Sequence, residues 1–583
     1  MITDPVEQFE LGDRYYDGKG VEQDYTKAAY WFTKAAEQGH AVAQSDLGWC
    51  YYSGEGVEQD FEQAAYWYAK AANQGLAKAQ NKLALCYEEG EGVKQDYKQA
   101  IYWYTKAAEQ DNTFALYNLA FCYYTYHEVQ DYKKAVYWFT KAAEQGTLDA
   151  QYYLGVCYEN GEGVKQDYKQ ASYWFTKAAE QDNALAQYSL GQFYYTGEGV
   201  KQDYKKAAYW FEKAAEQEDP DAQFRTAICY EEGEGVKQNN EQAMYWATEA
   251  AKQDNADAQF WLAAQYRQGE IAERDDEQAT YWFKQAAEQG NIASLYYLGL
   301  AYKNGIGIEQ DSEQAIYWFE QAAEQGDANG QAALGELYYY GEGVEQDYEL
   351  AAELFEKAAE QDNEESQYYL GLCYFHGNGV KQNYKQAISW LTQAAEQGYD
   401  NAQYILGICY DEGDGVKQDY KQAIYWFAKA AEQDHSGAQC ELGACYDDGK
   451  GVKQDSSKAV YWYTKAAEQG YAGAQALLAH CYRYGRGIAQ DHTQAIYWFK
   501  KAIEQGHEVA AKHLAGMLAP QKDNSSSHSS SYSSSSSSSS PSPSQLSQKR
   551  MEEQRKEEQK RVCPYCHGYK EPYQLRCSKC SSQ

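Results

Sequence analysis

Apolar and polar positions along the chain follow two alternating helical patterns, one longer and one shorter, separated by glycine-rich breaks. In the longer stretch after Asp419, residues Ala423, Ile424, Trp426, Phe427, Ala430 and Ala431 fall at helical spacing and form one apolar stripe. Asp or Asn precedes this stretch in every copy, as at Asp24, Asp167, Asn239 and Asp491. A side-chain oxygen there accepts the orphan N–H groups of a first helical turn. Eight copies close the stretch with Gly, as at Gly398 and Gly470, which suits a left-handed cap, and six close with Asp or Glu, as at Asp182. The shorter stretch places Leu154, Cys157 and Tyr158 at i, i+3 and i+4 on one face. Gly155 removes a side chain there, which predicts the close approach of a neighbouring backbone. This helix is expected to stop at Gly-x-Gly-Val/Ile, present in twelve of fourteen copies. A glycine-rich loop met once could cradle phosphate; met twelve times without a third glycine, it is a turn between antiparallel helices.

The two helices make a unit of 36 residues. Its tryptophan recurs at Trp31, Trp67, Trp103, Trp138, Trp174, Trp210, Trp246, Trp282, Trp318, Trp390, Trp426, Trp462 and Trp498, with Leu354 holding the remaining place. These phased tryptophans are expected in the core between units. Only the step from Trp103 to Trp138 is 35 residues, and the missing residue falls in the turn at Tyr126-His127-Glu128, a candidate weak joint. Self-similarity at this period predicts a solenoid in which each unit buries its apolar face against its neighbours.

Charge divides the chain. Residues 1–518 hold 42 Lys+Arg against 81 Asp+Glu, and the rest holds 10 against 6. An acidic solenoid repels phosphate backbones and anionic membranes and favours basic proteins or peptides. No stretch approaches the ~20 apolar residues of a membrane helix, and the first residues show no secretory signal. Nine of the fourteen cysteines occupy one repeat position, from Cys50 to Cys481. Stacked helices lie roughly 8–10 Å apart, too far for a bridge, so these are expected as free core residues in a reducing cytoplasm.

The units read Ala-Gln-Tyr-x-Leu-Gly-x-x-Tyr, Gly-x-Gly-Val, Asp-Tyr-x-x-Ala and Tyr-Trp-Phe-x-Lys-Ala-Ala-Glu-Gln-Gly. In these residues the chain, over about 5–519, resembles the Sel-1-like repeat family. The resemblance implies an all-α fold, a right-handed α/α superhelical solenoid of fourteen helix-turn-helix repeats related to tetratricopeptide arrays. It also implies a concave side lined by the first helices and adaptor or scaffold roles. Some bacterial relatives take part in host interaction, and one cysteine-rich branch with a disulfide in each repeat is linked to β-lactam hydrolysis. Here only the copy holding Cys440 and Cys445 has two cysteines, and no Ser-x-x-Lys occurs.

Recognition positions should vary where packing positions repeat. Two such positions share a face of the first helix at i and i+3. Trp49, Tyr153, Trp261, Tyr297 and Tyr369 break the pattern there with aromatic anchors, and they are the candidate partner-binding residues. His507 and His513 lie six apart and do not share one helix face, so they make no zinc-protease pair. No catalytic residue emerges.

The composition breaks after the repeats. The expected domains are the solenoid with its capping helix (1–519), a serine-rich disordered linker (520–548), a charged helix or disordered segment (549–562) and a small module (563–583). In the last, Cys563, Cys566, Cys577 and Cys580 form two Cys-x-x-Cys knuckles ten residues apart, four thiolates for one structural zinc with no open position for water. This resembles a short zinc ribbon. Its basic surroundings allow weak nucleic acid contact. A redox reading of Cys563-Pro-Tyr-Cys566 needs a larger scaffold than 35 residues provide. The sequence therefore predicts a non-enzymatic cytoplasmic scaffold that binds proteins or peptides on an acidic, aromatic concave surface. The alternatives are a bacterial effector acting on host proteins and, with its motifs missing, a β-lactam hydrolase.

Overall fold

The computed structural model describes residues 2–518, and within them every regular element is a helix, 29 in all. Contacts within the chain divide it into two compact units, Met1–Ala258 and Gln259–Gln583. In each unit the same pair of helices repeats. In copy five, for example, the first helix is Leu148–Asn160 and the second Tyr168–Ala179. The second helix packs on the first helix of its own copy and on that of the next, as Tyr168–Ala179 does on Leu148–Asn160 and on Ala184–Thr196.

The local signals at the helix ends are met. Asp167 accepts from the N–H groups of Lys169 and Gln170, and the Asp or Asn before every other second helix caps it likewise. The six copies that end in Asp or Glu hold Asp111, Asp182, Glu218, Asp254, Asp362 and Asp434 in the left-handed region, at φ 57 to 66°. The second glycine of the turn has a packing role as well. A Cβ on Gly56 would lie 2.0 Å from the carbonyl oxygen of Tyr25, so this turn rests on the start of the preceding copy's second helix.

One expectation about the core is corrected and another made more specific. At Gly155 it is the Phe175 ring that comes close: a Cβ would meet it at 2.6 Å, and equivalent glycines face Phe32, Tyr68, Phe211 or Phe427. The ring is pressed onto the first helix where no side chain stands in its way. These rings, one residue after the phased tryptophan, are the fully buried ones. The tryptophans are mostly half-buried. Trp67, Trp103 and Trp210 each lean on the cluster formed by the preceding copy, so they join units more than they fill them.

A buried polar ladder runs beside this core. Gln439 is buried, donates to the carbonyl of Ala431 at 3.2 Å and accepts from Gln469 at 2.8 Å. Equivalent pairs include Gln44–Gln74 and Gln187–Gln217 in the first unit and Gln331–Gln361 and Gln475–Gln505 in the second. Each copy that carries this glutamine thereby satisfies an end carbonyl of one second helix and ties the next second helix to it. The ten described cysteines are buried thiols outside any disulfide.

Candidate functional site

The first helices carry the positions expected to face partners. In copy two (Ala41–Ser53), Trp49 is half-buried. Its Nε1 donates to Tyr16 Oη at 3.1 Å and to Glu55 at 3.3 Å, while Tyr16 donates to Glu55 at 2.7 Å. Burial, and then the bond to Glu55, push the Tyr16 phenol up to about 12. Lys82 Nζ stands 4.7 Å over the Trp49 ring, and burial holds its pKa below the usual lysine range.

In copy five, Tyr153 stacks on Phe139 at 5.6 Å and meets the edge of Phe121 at 5.5 Å. In copy nine (Ile292–Asn304), Tyr297 stacks on Phe283 at 5.2 Å under the Arg267 guanidinium at 4.8 Å. Trp261 is 9% exposed and Tyr369 only 3%. Tyr369 stacks on Phe355 at 5.0 Å and its hydroxyl lies 3.3 Å from that of Tyr340. The five residues sit on five different copies: Trp49, Tyr153 and Tyr297 are half-buried, and Trp261 and Tyr369 are packed inside.

The second unit gathers charge around these rings. Lys303 and Glu336 form a half-buried ion pair at 2.9 Å. Burial opposes the lysine's charge, but Glu336 outweighs it and holds its pKa above the usual range. The first helices of copies ten to thirteen (Ala328–Tyr340, Glu364–His376, Asp400–Glu412 and Ser436–Asp448) carry nine carboxylates, Glu336 among them, and no Lys or Arg. They include Glu336, Glu365, Asp411, Glu412 and Glu441, among the rings of Tyr339, Tyr340, Tyr368, Tyr369 and Tyr404. Position-by-position reading of single aromatics missed this strip; the signal was the absence of cations from four consecutive first helices.

Two further features were missed. The residue before the phased tryptophan is an exposed tyrosine, as at Tyr30, Tyr102, Tyr209 and Tyr425, about half exposed in each case and edge-on to its tryptophan. One residue along a helix turns the side chain by 100°, which takes it off the packed stripe. At the shortened turn of copy four, Tyr126 stacks on Tyr97 at 4.0 Å and donates to the buried Glu88 at 3.0 Å. Tyr104 donates to the same carboxylate at 2.5 Å and the Cys122 thiol at 3.6 Å. The expected weak joint thus has an anchor of its own.

Among the described residues, no group of three or more His, Cys, Asp or Glu is arranged to hold a metal ion, and no helix is long and apolar enough to cross a membrane. Cys563, Cys566, Cys577 and Cys580 lie outside the described residues, as do the linker and charged segment.

A model of the Sel1 repeat matches fourteen consecutive segments, from residues 8–40 to residues 472–507, tiling residues 8–507 without a gap. Its fourth segment, 113–147, is the 35-residue copy. The crystal structure of c5321, a protective antigen present in uropathogenic Escherichia coli strains and displaying an SLR fold, is similar at 32% identity and a TM-score of 0.56. That likeness covers 90% of this chain and 97% of that one. A Sel1 repeat protein from Oxalobacter formigenes is also 32% identical, over 53% of this chain and 89% of its own, with a TM-score of 0.43. No curated protein matches.

Proposed function

This chain belongs to the Sel1 repeat family, and from that premise we propose that it is a scaffold that holds basic segments of partner proteins or peptides on its first-helix faces. The observation that carries this reading is the cation-free run of nine carboxylates on the first helices of copies ten to thirteen, interleaved with tyrosines. Carboxylates attract Lys and Arg over a Debye length of about 10 Å at 0.1 M salt, and tyrosine faces accept guanidinium groups by cation–π contact. The Arg267–Tyr297 contact is such a pairing within the chain itself. Within the second unit, the half-buried ring of Tyr297 is proposed as a further contact, and in the first unit Trp49 and Tyr153 are proposed as contacts of their own.

The reading assigns no catalytic residue and treats the repeats as a binding surface, with nucleic acid and membranes disfavoured by charge. We place the protein in the cytoplasm, where buried free thiols are at home. Cys563, Cys566, Cys577 and Cys580 are proposed to hold one structural zinc, on the strength of their spacing. Their module is proposed to contact protein or, weakly, nucleic acid. A second reading, an exported effector acting on host proteins, draws on the likeness to c5321, which is described as a protective antigen.

Fluorescence anisotropy tests the first reading. A labelled Lys/Arg-rich peptide should bind the full chain saturably and weaken steeply as salt rises, while an acidic peptide of equal length should not bind. Equal binding of both, or of neither, contradicts it.

A further inference from the structure

The last copy and its capping helix reverse the sign of the chain's charge. Residues 1–518 hold 81 Asp+Glu against 42 Lys+Arg, yet residues 472–518 hold three Asp+Glu against five Lys+Arg and four His. The three acids are accounted for. Asp491 caps the helix His492–Glu504 by accepting from Thr493 and Gln494. Glu504 pairs with Lys501 at 3.2 Å. Glu508 stands exposed in the first turn of the helix Glu508–Leu518.

Three basic groups meet where that last helix faces the first helix of copy fourteen (Ala472–Tyr484). The His480 ring stands edge-on to His513 at 4.3 Å and parallel to Tyr484 at 6.0 Å. The Arg483 guanidinium lies 5.0 Å over the Tyr484 ring, and its Nη1 donates to the His513 carbonyl at 3.5 Å. His480, Arg483 and His513 are half-buried, while Tyr484 is 57% exposed, so the group borders solvent. The Phe499 ring closes its inner side, 5.1 Å from His480.

The same positions are compensated in other copies. Arg267 and Lys303 hold the place of Arg483 in copies eight and nine. Arg267 faces the Tyr297 ring of the next copy at 4.8 Å, and Lys303 faces the Glu336 carboxylate of the next copy at 2.9 Å. Arg483 instead faces His513, the equivalent of Tyr297, and among the described residues it has no carboxylate partner. Arg486, in the turn that follows, is held by Asp447 at 2.9 Å. Burial, then His513, Arg483, Arg486 and His507, push the His480 pKa down to about 4. Like charges in contact disfavour one another's charged forms, and an anion among them would reverse that.

We propose that Arg483, His480 and His513 form a binding site for a phosphate group, separate from the face that holds basic segments. The guanidinium fork takes two phosphate oxygens side by side, and each imidazole donates to a further oxygen. The choice of a dianion follows from the number of donors. A carboxylate is satisfied by Arg483 alone and gives the imidazoles nothing to do. A phosphate monoester, with a second pKa of about 6, brings the extra charge that holds an imidazole protonated. The acidic remainder of the chain repels a long polyanion, so the phosphate arrives singly, on a small molecule or on a modified partner segment.

NMR spectra of the full chain, labelled with carbon-13 at histidine Cε1, test this. Sodium phosphate is titrated at constant ionic strength near pH 6.5, the ordinary imidazole value. The His480 and His513 signals should move saturably toward the imidazolium position, with His40 and His435 unmoved. Sodium acetate should bind at least about tenfold more weakly, and so should phosphate to Arg483→Gln, which removes the charged fork. Arg483→Lys keeps a point charge and should lose less. Lys500→Gln, at an exposed lysine of the same copy, should change nothing. If Arg483→Gln melts below the native chain, Arg483→Lys and His513→Gln carry the test in its place. O-phosphoserine binding as tightly as a peptide that contains it assigns the site to a small molecule, and tighter binding of the peptide assigns it to a partner segment; either supports the site. Shifts that do not saturate, acetate binding as tightly as phosphate, or native affinity in a folded Arg483→Gln chain would overturn the proposal.

Discussion

Gln403 accepts a 2.9 Å hydrogen bond from Gln433, thirty residues on, while its own amide donates to the carbonyl of Ala395 at 2.9 Å. The pair ties three helices through one buried amide. Copies four and nine place Leu116 and Leu295 at this position, and there the ladder is interrupted without loss of the helix pair. Gln403→Ala should therefore cost about 1–3 kcal/mol, because the Ala395 carbonyl and the Gln433 amide lose a buried partner. Gln403→Leu should cost less, since it fills the space. Chemical denaturation followed together with amide exchange in the Tyr420–Glu432 helix measures both; equal costs would mean that the ladder contributes little.

Glu88 anchors the irregular turn. Tyr126→Phe removes one hydrogen bond to a carboxylate and should cost about 1.5–3 kcal/mol locally. Glu88→Ala should cost more, because the buried Tyr104 hydroxyl loses its acceptor as well. Limited proteolysis should be slow at Tyr126-His127 in the native chain and fast in Glu88→Ala, with other turns unchanged. Rapid cleavage there in the native chain would show that the network does not hold the joint.

The terminal helix Glu508–Leu518 should loosen in acid. His480 meets His513 edge-on at 4.3 Å and Phe499 at 5.1 Å. Burial, then His513, Arg483, Arg486 and His507, push its pKa down to about 4. The unfolded segment takes up this proton near the ordinary value of about 6.5, while the folded one refuses it. Between those values unfolding gains a proton, so stability present above about pH 6.5 is lost as pH falls toward 4. Amide exchange at Ala510 and Leu514 should accelerate over that range, and His480→Phe should flatten the dependence. An unchanged pH profile in His480→Phe would assign it elsewhere.

The parts of the fold that depend on nearest neighbours in sequence were legible. The caps at Asp167 and Asn239 and the left-handed Asp182 follow from side-chain chemistry within one turn. What lies across a helix interface was legible only in part. Gly155 announced a close approach, but whether a backbone or the Phe175 ring fills the gap depends on the tilt of a helix twenty residues away. The candidate site was less legible again. Tyr152-Tyr153 and Tyr368-Tyr369 stand in the same local sequence and differ in burial, so no rule based on local residues separates them. The cation-free strip was countable in the sequence, but only once the first helices were aligned as one face.

The central claim is that this strip is a binding face for basic segments. Its most direct measurement is the affinity of a Lys/Arg-rich peptide for two full-length chains, the native one and one carrying Glu365→Gln, Asp411→Asn, Glu412→Gln and Glu441→Gln. With four carboxylates neutralised and the packed rings retained, the account predicts an affinity at least tenfold weaker, about 1.4 kcal/mol, together with a shallower salt dependence. Unchanged affinity in the neutralised chain would contradict it and move the binding face away from copies ten to thirteen.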